Sequence, residues 1–160
     1  MTATWRWMLL FVLAWAIPLA TPARADDTVA LSKGQTVYVP AYSHIYIGDR
    51  EHPFLLTITL SIRNTDSKHP ITVTAADYHD TKGIRIRRYQ EEPMVLAPFE
   101  SMRYVVPQRD TTGGSGANFI VEWKAGKEVN PPIIEAIMIG AASQQGISFT
   151  SRGQAISRAN

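Results

Sequence analysis

The chain has 160 residues, with 16 lysine or arginine residues, 14 aspartate or glutamate residues and no cysteine. That length fits one domain with a sizeable core. The absence of cysteine excludes disulfides, thiolate metal sites and cysteine-based redox chemistry.

The first 25 residues have the pattern of a secretory signal peptide. Arg6 precedes an apolar run over residues 8–20, which is shorter than the roughly 20 residues that a membrane-spanning helix needs. A small-x-small pattern then ends at Ala25, so we predict cleavage after that residue and no transmembrane anchor. Removal of Arg6 and Arg24 leaves 14 basic and 14 acidic residues. This balance gives no argument for a nucleic-acid partner, and export predicts a periplasmic or secreted location.

Short β-type runs separated by Gly, Pro, Asn and Asp dominate the remaining chain. The clearest is the run 54–64, in which Leu56, Ile58, Leu60 and Ile62 alternate with polar residues, as in a half-buried strand. In chain order the runs are 36–40, 42–47, 54–64, 71–78, 84–87, 94–96, 101–106, 117–123, 133–142 and 147–150.

These runs predict an all-β fold without a convincing helix. We expect residues 26–151 to form one antiparallel β-sandwich of the immunoglobulin/fibronectin type, with about eight strands. Residues 133–142 are apolar at nearly every position, which fits a central strand or a short buried helix. We favour the strand because four of them are isoleucine, a β-branched residue. The polar residues 152–160 are predicted to form a C-terminal tail.

Four segments carry a resemblance to a family: LTITLSIRNTD, PITVTAADYHDTKG, GGSGANFIVEW and EAIMIGAASQQGISFTSRG. They resemble an uncharacterised bacterial family of exported proteins, known only as a domain of unknown function. The similarity covers roughly Lys33 to Gly153 and implies export and a single domain, but no mechanism. The run from Leu56 to Gly83 is also similar to the sandwich domains linked to water stress and hypersensitive response, which implies only the fold.

Asp77, His79 and Asp80 lie at the end of a predicted strand, and His44 or His52 from another loop could join them. Imidazole and carboxylate groups suit zinc, copper or a similar divalent ion. In the simpler interpretation the two aspartates form a turn before a glycine, and the histidine is solvated. A divalent metal held by His44, Asp77, His79 and Asp80 is therefore the alternative hypothesis, and the main expectation is no cofactor.

The glycine-rich segment 112–118 is the second candidate site. Glycine-rich loops that hold phosphate lead into a helix and usually carry a lysine, whereas a strand follows here. The segment therefore favours a tight loop with positive φ angles, which lets another backbone approach closely. Because binding residues concentrate on loops, the candidate partner contacts are these five residues: Gly113, Gly114, Ser115, Gly116 and Asn118.

A basic strip of Arg85, Arg87 and Arg88 follows, with Arg85 and Arg87 predicted on one strand face and Ile84 and Ile86 facing inward. Such a strip is typical of a solvated face, and the alternative is contact with an anionic ligand or acidic partner. No local spacing of Ser, His and carboxylate residues selects a catalytic set.

We therefore predict an exported, non-enzymatic β-sandwich that binds an envelope protein or a small ligand. The alternative is a periplasmic metal- or small-ligand-binding protein that uses the His and Asp side chains near residues 77–80. Ligand identity, partner identity and oligomeric state stay open at this point.

Overall fold

The structure is a computed structural model that describes residues 30–49, 51–142 and 145–158. The predicted signal peptide lies outside these residues. Across the described ranges, nothing helical is long and apolar enough to cross a bilayer. The described residues form these strands: β1 (Ser32–Pro40), β2 (His44–Ile47), β3 (His52–Leu55), β4 (Thr57–Arg63), β5 (Ile71–His79), β6 (Arg85–Gln90), β7 (Met94–Leu96), β8 (Ser101–Val106), β9 (Asn118–Val129), β10 (Ile133–Ala142), β11 (Gln145–Arg152) and β12 (Gln154–Arg158).

Two antiparallel sheets pack on each other and confirm the predicted all-β sandwich. The large sheet has the order β12-β1-β9-β5-β6, and β7 also pairs with β5. The small sheet has the order β11-β10-β4-β8. Strands β2 and β3 form a separate antiparallel pair, which we call the side hairpin.

The core lies between the two sheets and is filled by the alternating apolar residues of their central strands. The small sheet contributes Ile58, Leu60 and Ile62 of β4, which are completely buried. The large sheet contributes Phe119 and Val121 of β9, which are also completely buried. They belong to one contiguous apolar cluster. Burial of each such side chain contributes about 1.5–3 kcal/mol, so the period-two pattern specifies which face of each strand turns inward.

Residues 133–142 form strand β10, as predicted from their isoleucines. The strand pairs with β11 on one side and β4 on the other. Its inward-facing residues Ile134, Ala136 and Met138 are buried, whereas the outward-facing Ile139 is 53% exposed, so burial accounts for the apolar residues of one face only.

The predicted strand 54–64 is divided at Leu56. Before that residue, β3 pairs in the side hairpin, and after it β4 pairs in the small sheet. The N–H group of Leu56 donates to the carbonyl of Ser43 at 2.9 Å, so the break keeps its hydrogen bond. The described residues form twelve strands, more than the eight or so expected, in part because this run is divided into two strands.

The prediction of a tail over residues 152–160 is wrong for Gln154–Arg158, which form β12 and pair with β1. Gly153 lets the chain cross from the small sheet to the large one. A Cβ atom there would lie 2.7 Å from Cγ1 of Val37 and 2.8 Å from the carbonyl oxygen of Ile134. The N–H group of Gly153 donates to that same carbonyl at 2.8 Å.

The inward orientation predicted for Ile84 and Ile86 is also wrong, since their side chains are 62% and 38% exposed. Strand β6 lies at an edge of the large sheet, and its pairing with β5 shifts register twice. A register shift interrupts the strict alternation of faces, so a period-two pattern read along β6 does not predict burial.

Candidate functional site

The glycine-rich loop holds the β5–β6 turn in place. The N–H and Oγ1 of Thr81 donate to the carbonyl of Gly113 at 3.0 and 3.1 Å, and the N–H of Gly116 donates to Thr81 Oγ1 at 3.1 Å. Gly114 has a φ of +77°, which confirms the predicted positive φ. A Cβ atom at Gly113 would overlap the hydroxyl group of Tyr78, so glycine is required there by close packing.

The same loop also holds the connection between β1 and β2. The N–H and Oγ of Ser43 both donate to the carbonyl of Gly114 at 3.1 Å, and Ala41 N–H donates to the carbonyl of Ala117 at 2.9 Å. Asn118 is buried in β9. The loop therefore has a structural role, and a partner contact through its candidate residues stays a prediction.

Asp77, the central residue of the metal hypothesis, binds two arginines instead. Arg88 donates to its two carboxylate oxygens at 2.8 and 2.9 Å, and Arg85 donates at 3.3 Å. The hydrogen bond from Arg88 outweighs the effect of burial and holds the pKa of Asp77 below its usual value. The basic strip thus has two of its arginines occupied by an internal ion pair.

The other three metal candidates have separate local environments. Asp80 accepts hydrogen bonds from the N–H groups of Lys82 and Ile84 at 2.9 and 2.8 Å, which is the predicted turn role. His44 lies in the side hairpin, with its ring centroid 5.2 Å from that of Tyr46. Nδ1 of His79 is buried without a hydrogen-bond partner among the described residues. Within the same residues no group of three or more His, Cys, Asp or Glu side chains is placed to hold a metal ion.

An aromatic cluster fills the space between the two sheets beside β6 and β8. It consists of Tyr78, Tyr89, Tyr104 and Phe119. The ring centroids of Tyr78 and Phe119 are 4.8 Å apart, and those of Tyr89 and Tyr104 are 5.3 Å apart. Burial, followed by the charge of Asp110, raises the pKa of Tyr78, and burial raises the pKa of Tyr89. Both hydroxyl groups are therefore neutral at physiological pH and cannot act as phenolate bases.

On the opposite side of the sandwich, a lateral cleft of about 490 Å³ opens between the edges of the two sheets. Its walls come from β1 and β12 of the large sheet and from the chain around β10 and Gly153. Most of the lining is apolar, namely Val37, Pro131, Pro132, Ile133, Ile134 and Ala155. The space between the two sheets is therefore open to solvent at the β12 side, whereas aromatic rings close it at the β6 and β8 side.

Gln35 and Arg152 are the polar residues of this lining. Gln35 precedes Val37 on β1 and is only 9% exposed. Arg152 lies opposite Glu135 in the β10–β11 ladder, but the Glu135 carboxylate is directed at Arg63, with an N–O distance of 3.9 Å. Arg152 alternates with Phe149 and Ser151 along β11, so its side chain lies on the exposed outer face of the small sheet, and Phe149 packs against the core.

The proline wall of the cleft is fixed by the turn after β4. Thr65 Oγ1 donates to the carbonyl of Pro131 at 2.9 Å, and the N–H of Asn130 donates to Oδ2 of Asp66 at 3.2 Å. These bonds hold a segment whose prolines cannot donate to a ladder themselves. The wall is therefore positioned by the rest of the fold before any ligand arrives.

Sequence reasoning missed the cleft because its residues come from three distant segments, 35–37, 131–134 and 152–155. No local spacing relates them. The only signals were the paired prolines after Asn130 and the single glycine at 153, both of which are read from sequence as breaks between strands.

Comparison with known proteins gives a family but no activity. The solved structure "Crystal Structure of Thermotoga maritima 1070" is similar over 75% of this chain and 92% of that chain, with 12% identity and a TM-score of 0.40. A TM-score this low establishes neither fold nor function. No curated protein matches the sequence at a significant level. The family model "Protein of unknown function (DUF3124)" matches residues 34–156, which confirms the resemblance seen in the sequence: the chain belongs to the DUF3124 family.

Proposed function

We propose that the mature protein is a non-enzymatic binding module of the bacterial envelope that takes a small ligand into the lateral cleft. The cleft itself is the observation that carries this proposal. Its volume of about 490 Å³ lies within the range of roughly 300–1,000 Å³ found for small-molecule sites. A mostly apolar lining with a few polar groups is also typical of such sites.

The lining chemistry favours binding over catalysis. The described residues that form it carry no carboxylate, imidazole or hydroxyl group, and the arginine keeps its proton at every pH that a protein normally meets. The cleft therefore offers neither a general acid or base nor a nucleophile for a bound molecule.

The frame around the cleft is preorganised. Gly153 hydrogen-bonds to the carbonyl of Ile134, and Val37 and Ile134 are almost completely buried beneath the opening. A site that already has its bound shape loses less conformational entropy on binding. This supports retention of a ligand without closure of a lid.

The envelope location rests on the sequence of residues 1–25, which has the charge, apolar run and small-x-small ending of an export signal. The balanced charge of the remaining chain supports a ligand recognised by shape and one or two polar contacts. A strongly charged surface would instead favour nucleic acid.

Native mass spectrometry of the mature protein, purified gently from the compartment in which it accumulates, tests the proposal. We expect a reproducible additional mass on the wild type. Ala155→Trp should abolish it, because Ala155 lines the cleft from the exposed edge strand β12 and the indole would occupy the opening. Ile156→Trp is the matched control, since Ile156 is 60% exposed on the same strand and does not line the cleft.

Retention of the same mass by Ala155→Trp would place the ligand elsewhere and contradict the proposal. A bare wild-type protein, together with no effect of organic extraction on its thermal stability, would also contradict it. Circular dichroism on each variant shows whether the β-structure is intact.

A further inference from the structure

The described side chains that face into the lateral cleft carry no charge. From this lining and the position of Gln35, we infer that the cleft binds an uncharged molecule with an apolar body and one hydroxyl or amide head group. This inference rests on the proposed binding function and goes beyond it by naming the chemistry of the ligand.

Gln35 is the polar side chain on the inner face of the cleft. Gln35, Val37 and Val39 of β1 are buried, and the intervening Thr36 and Tyr38 are half-buried. Because successive side chains of a strand point to opposite faces, Gln35 faces inward with the two valines. It is nine-tenths buried, and its amide takes part in no side-chain hydrogen bond of the described residues. Buried polar groups normally have a partner, and the head group of a ligand would supply one here.

The side chains of the charged residues around the cleft lie on other surfaces. Arg152 and Glu135 are opposite each other on the outer face of the small sheet. Arg158 is opposite Gln35 in the ladder of β1 and β12, but it is exposed and lines a hollow of the outer surface together with Thr36. A charged head group in the cleft would therefore leave water without an opposite charge to balance it. An uncharged head group avoids this penalty.

The amide of Gln35 determines which uncharged head group fits best. It offers an NH₂ group that donates and a carbonyl oxygen that accepts. A hydroxyl or an amide on the ligand both accepts and donates, so it can satisfy both parts of the side chain. An ether or a ketone only accepts, and would leave the carbonyl oxygen of Gln35 without a partner.

The rest of the lining accounts for the apolar body. It offers no hydrogen-bonding side chain at Val37, Pro131, Pro132, Ile134 or Ala155. A polar body such as a sugar would lose its hydration there without compensation. An alkyl body has no such loss, and each methylene group that leaves water favours binding.

Trp123 provides a local signal of occupancy. It lies opposite Gln35 in the ladder of β1 and β9 and is 3% exposed. Directly opposite residues have Cβ atoms about 4.5–5.5 Å apart, so a head group bound to Gln35 lies close to the indole. Filling of the cleft should therefore change the fluorescence of Trp123.

Isothermal titration of the mature protein with octanol, octanoate and octylamine, each below its solubility or micelle limit, tests the inference. We expect octanol to bind and to change the Trp123 fluorescence with the same dissociation constant. Octanoate and octylamine should bind roughly tenfold more weakly or worse, because their charged heads lose more hydration.

Two substitutions of Gln35 test its role as the partner of the head group. Gln35→Leu should weaken octanol binding about three- to tenfold, since it removes one neutral hydrogen-bonding group, and should leave thermal stability unchanged or higher. Gln35→Glu should make octylamine the tightest ligand, a gain that partial unfolding cannot imitate. Thr36→Val, on the outer face of the same strand, is the matched control and should change neither affinity.

Four results would each overturn the inferred ligand class: octanoate or octylamine binding as tightly as octanol, octanol binding unchanged by Gln35→Leu, the wild-type preference retained by Gln35→Glu, or binding without a change in Trp123 fluorescence. If Ala155→Trp still abolished probe binding in such a case, the cleft would remain a binding site and only the class would be wrong. Absence of binding by every probe, while the protein from cells carries a mass that Ala155→Trp loses, would likewise refute the class alone. Absence of both would refute the class and the proposed function together.

Discussion

Gly153 is the residue at which the chain leaves the small sheet and joins the large one, and Gly153→Ala tests whether this crossing is as tight as the structure shows. The added methyl group would lie 2.7 Å from Cγ1 of Val37, 2.8 Å from the carbonyl oxygen of Ile134 and 3.1 Å from Cγ2 of Val39. The valine side chains are buried in the core, and the oxygen belongs to the backbone of β10. None of these atoms can move away cheaply.

The expected cost follows from two contributions. Overpacking a well-filled core destabilises a protein by about 1–3 kcal/mol. The Gly153 N–H donates to the oxygen that the methyl group would displace, and a lost hydrogen bond costs about 0.5–1.5 kcal/mol. We therefore expect Gly153→Ala to lower the free energy of unfolding by about 2–4 kcal/mol.

Urea unfolding followed by the fluorescence of Trp123 measures this change, since Trp123 is the one tryptophan outside residues 1–25. Gly126→Ala is the matched control: it lies in β9, and a Cβ atom there meets nothing within 4 Å. Alanine in such a place stabilises by about 0.4–1 kcal/mol, because it restricts the unfolded chain. A Gly153→Ala protein as stable as the wild type, or more stable, would refute the tight crossing.

Two further predictions concern Asp66 and Phe99. Hydrogen bonds from the N–H groups of Lys68 and His69 lower the pKa of Asp66 from 3.8 to about 2, so the stability that it contributes is complete above pH 4 and is lost as the pH falls toward 2. Asp66→Asn should make the fall in unfolding free energy over this pH range shallower, and an unchanged slope would contradict the assignment. Phe99 has a φ of +62° and is 71% exposed, so its backbone is strained while its ring gains little from burial. Phe99→Asn should raise the free energy of unfolding by about 0.5–1 kcal/mol in thermal or urea denaturation, whereas a loss of stability would show that the ring makes necessary contacts.

The parts of the fold that the sequence predicts are those in which one strand's own pattern decides its orientation. Leu60 and Ile62 alternate with polar residues, and Val121 and Trp123 alternate with Glu122 and Lys124, so inward faces could be assigned without knowing any partner strand. The orientation of Ile84 and Ile86 could not be assigned in this way, because it depends on register shifts between β5 and β6. The pairing of β12 with β1 depends equally on a contact between distant segments.

The lateral cleft illustrates the same limit for function. Gly113 and Gly114 stand out in the sequence, and their conformation was predictable, but hydrogen bonds to Ser43 and Thr81 give them a structural role. No local pattern in the sequence indicates that Val37, Ile134 and Ala155 line one opening. That arrangement exists only once the two sheets are stacked and the chain has crossed at residue 153.

The order of strands in the large sheet also determines how the domain can assemble. The first described strand, β1, lies between β9 and the last described strand, β12. Pairing between segments this far apart in the chain makes folding slow. A chain interrupted before residue 154 would leave one edge of β1 with unpaired N–H and C=O groups, which can recruit strands from other molecules. The last strand therefore covers this edge of β1 and leaves an edge strand of only 5 residues in its place, and very short edge strands are one way in which proteins limit pairing with other molecules.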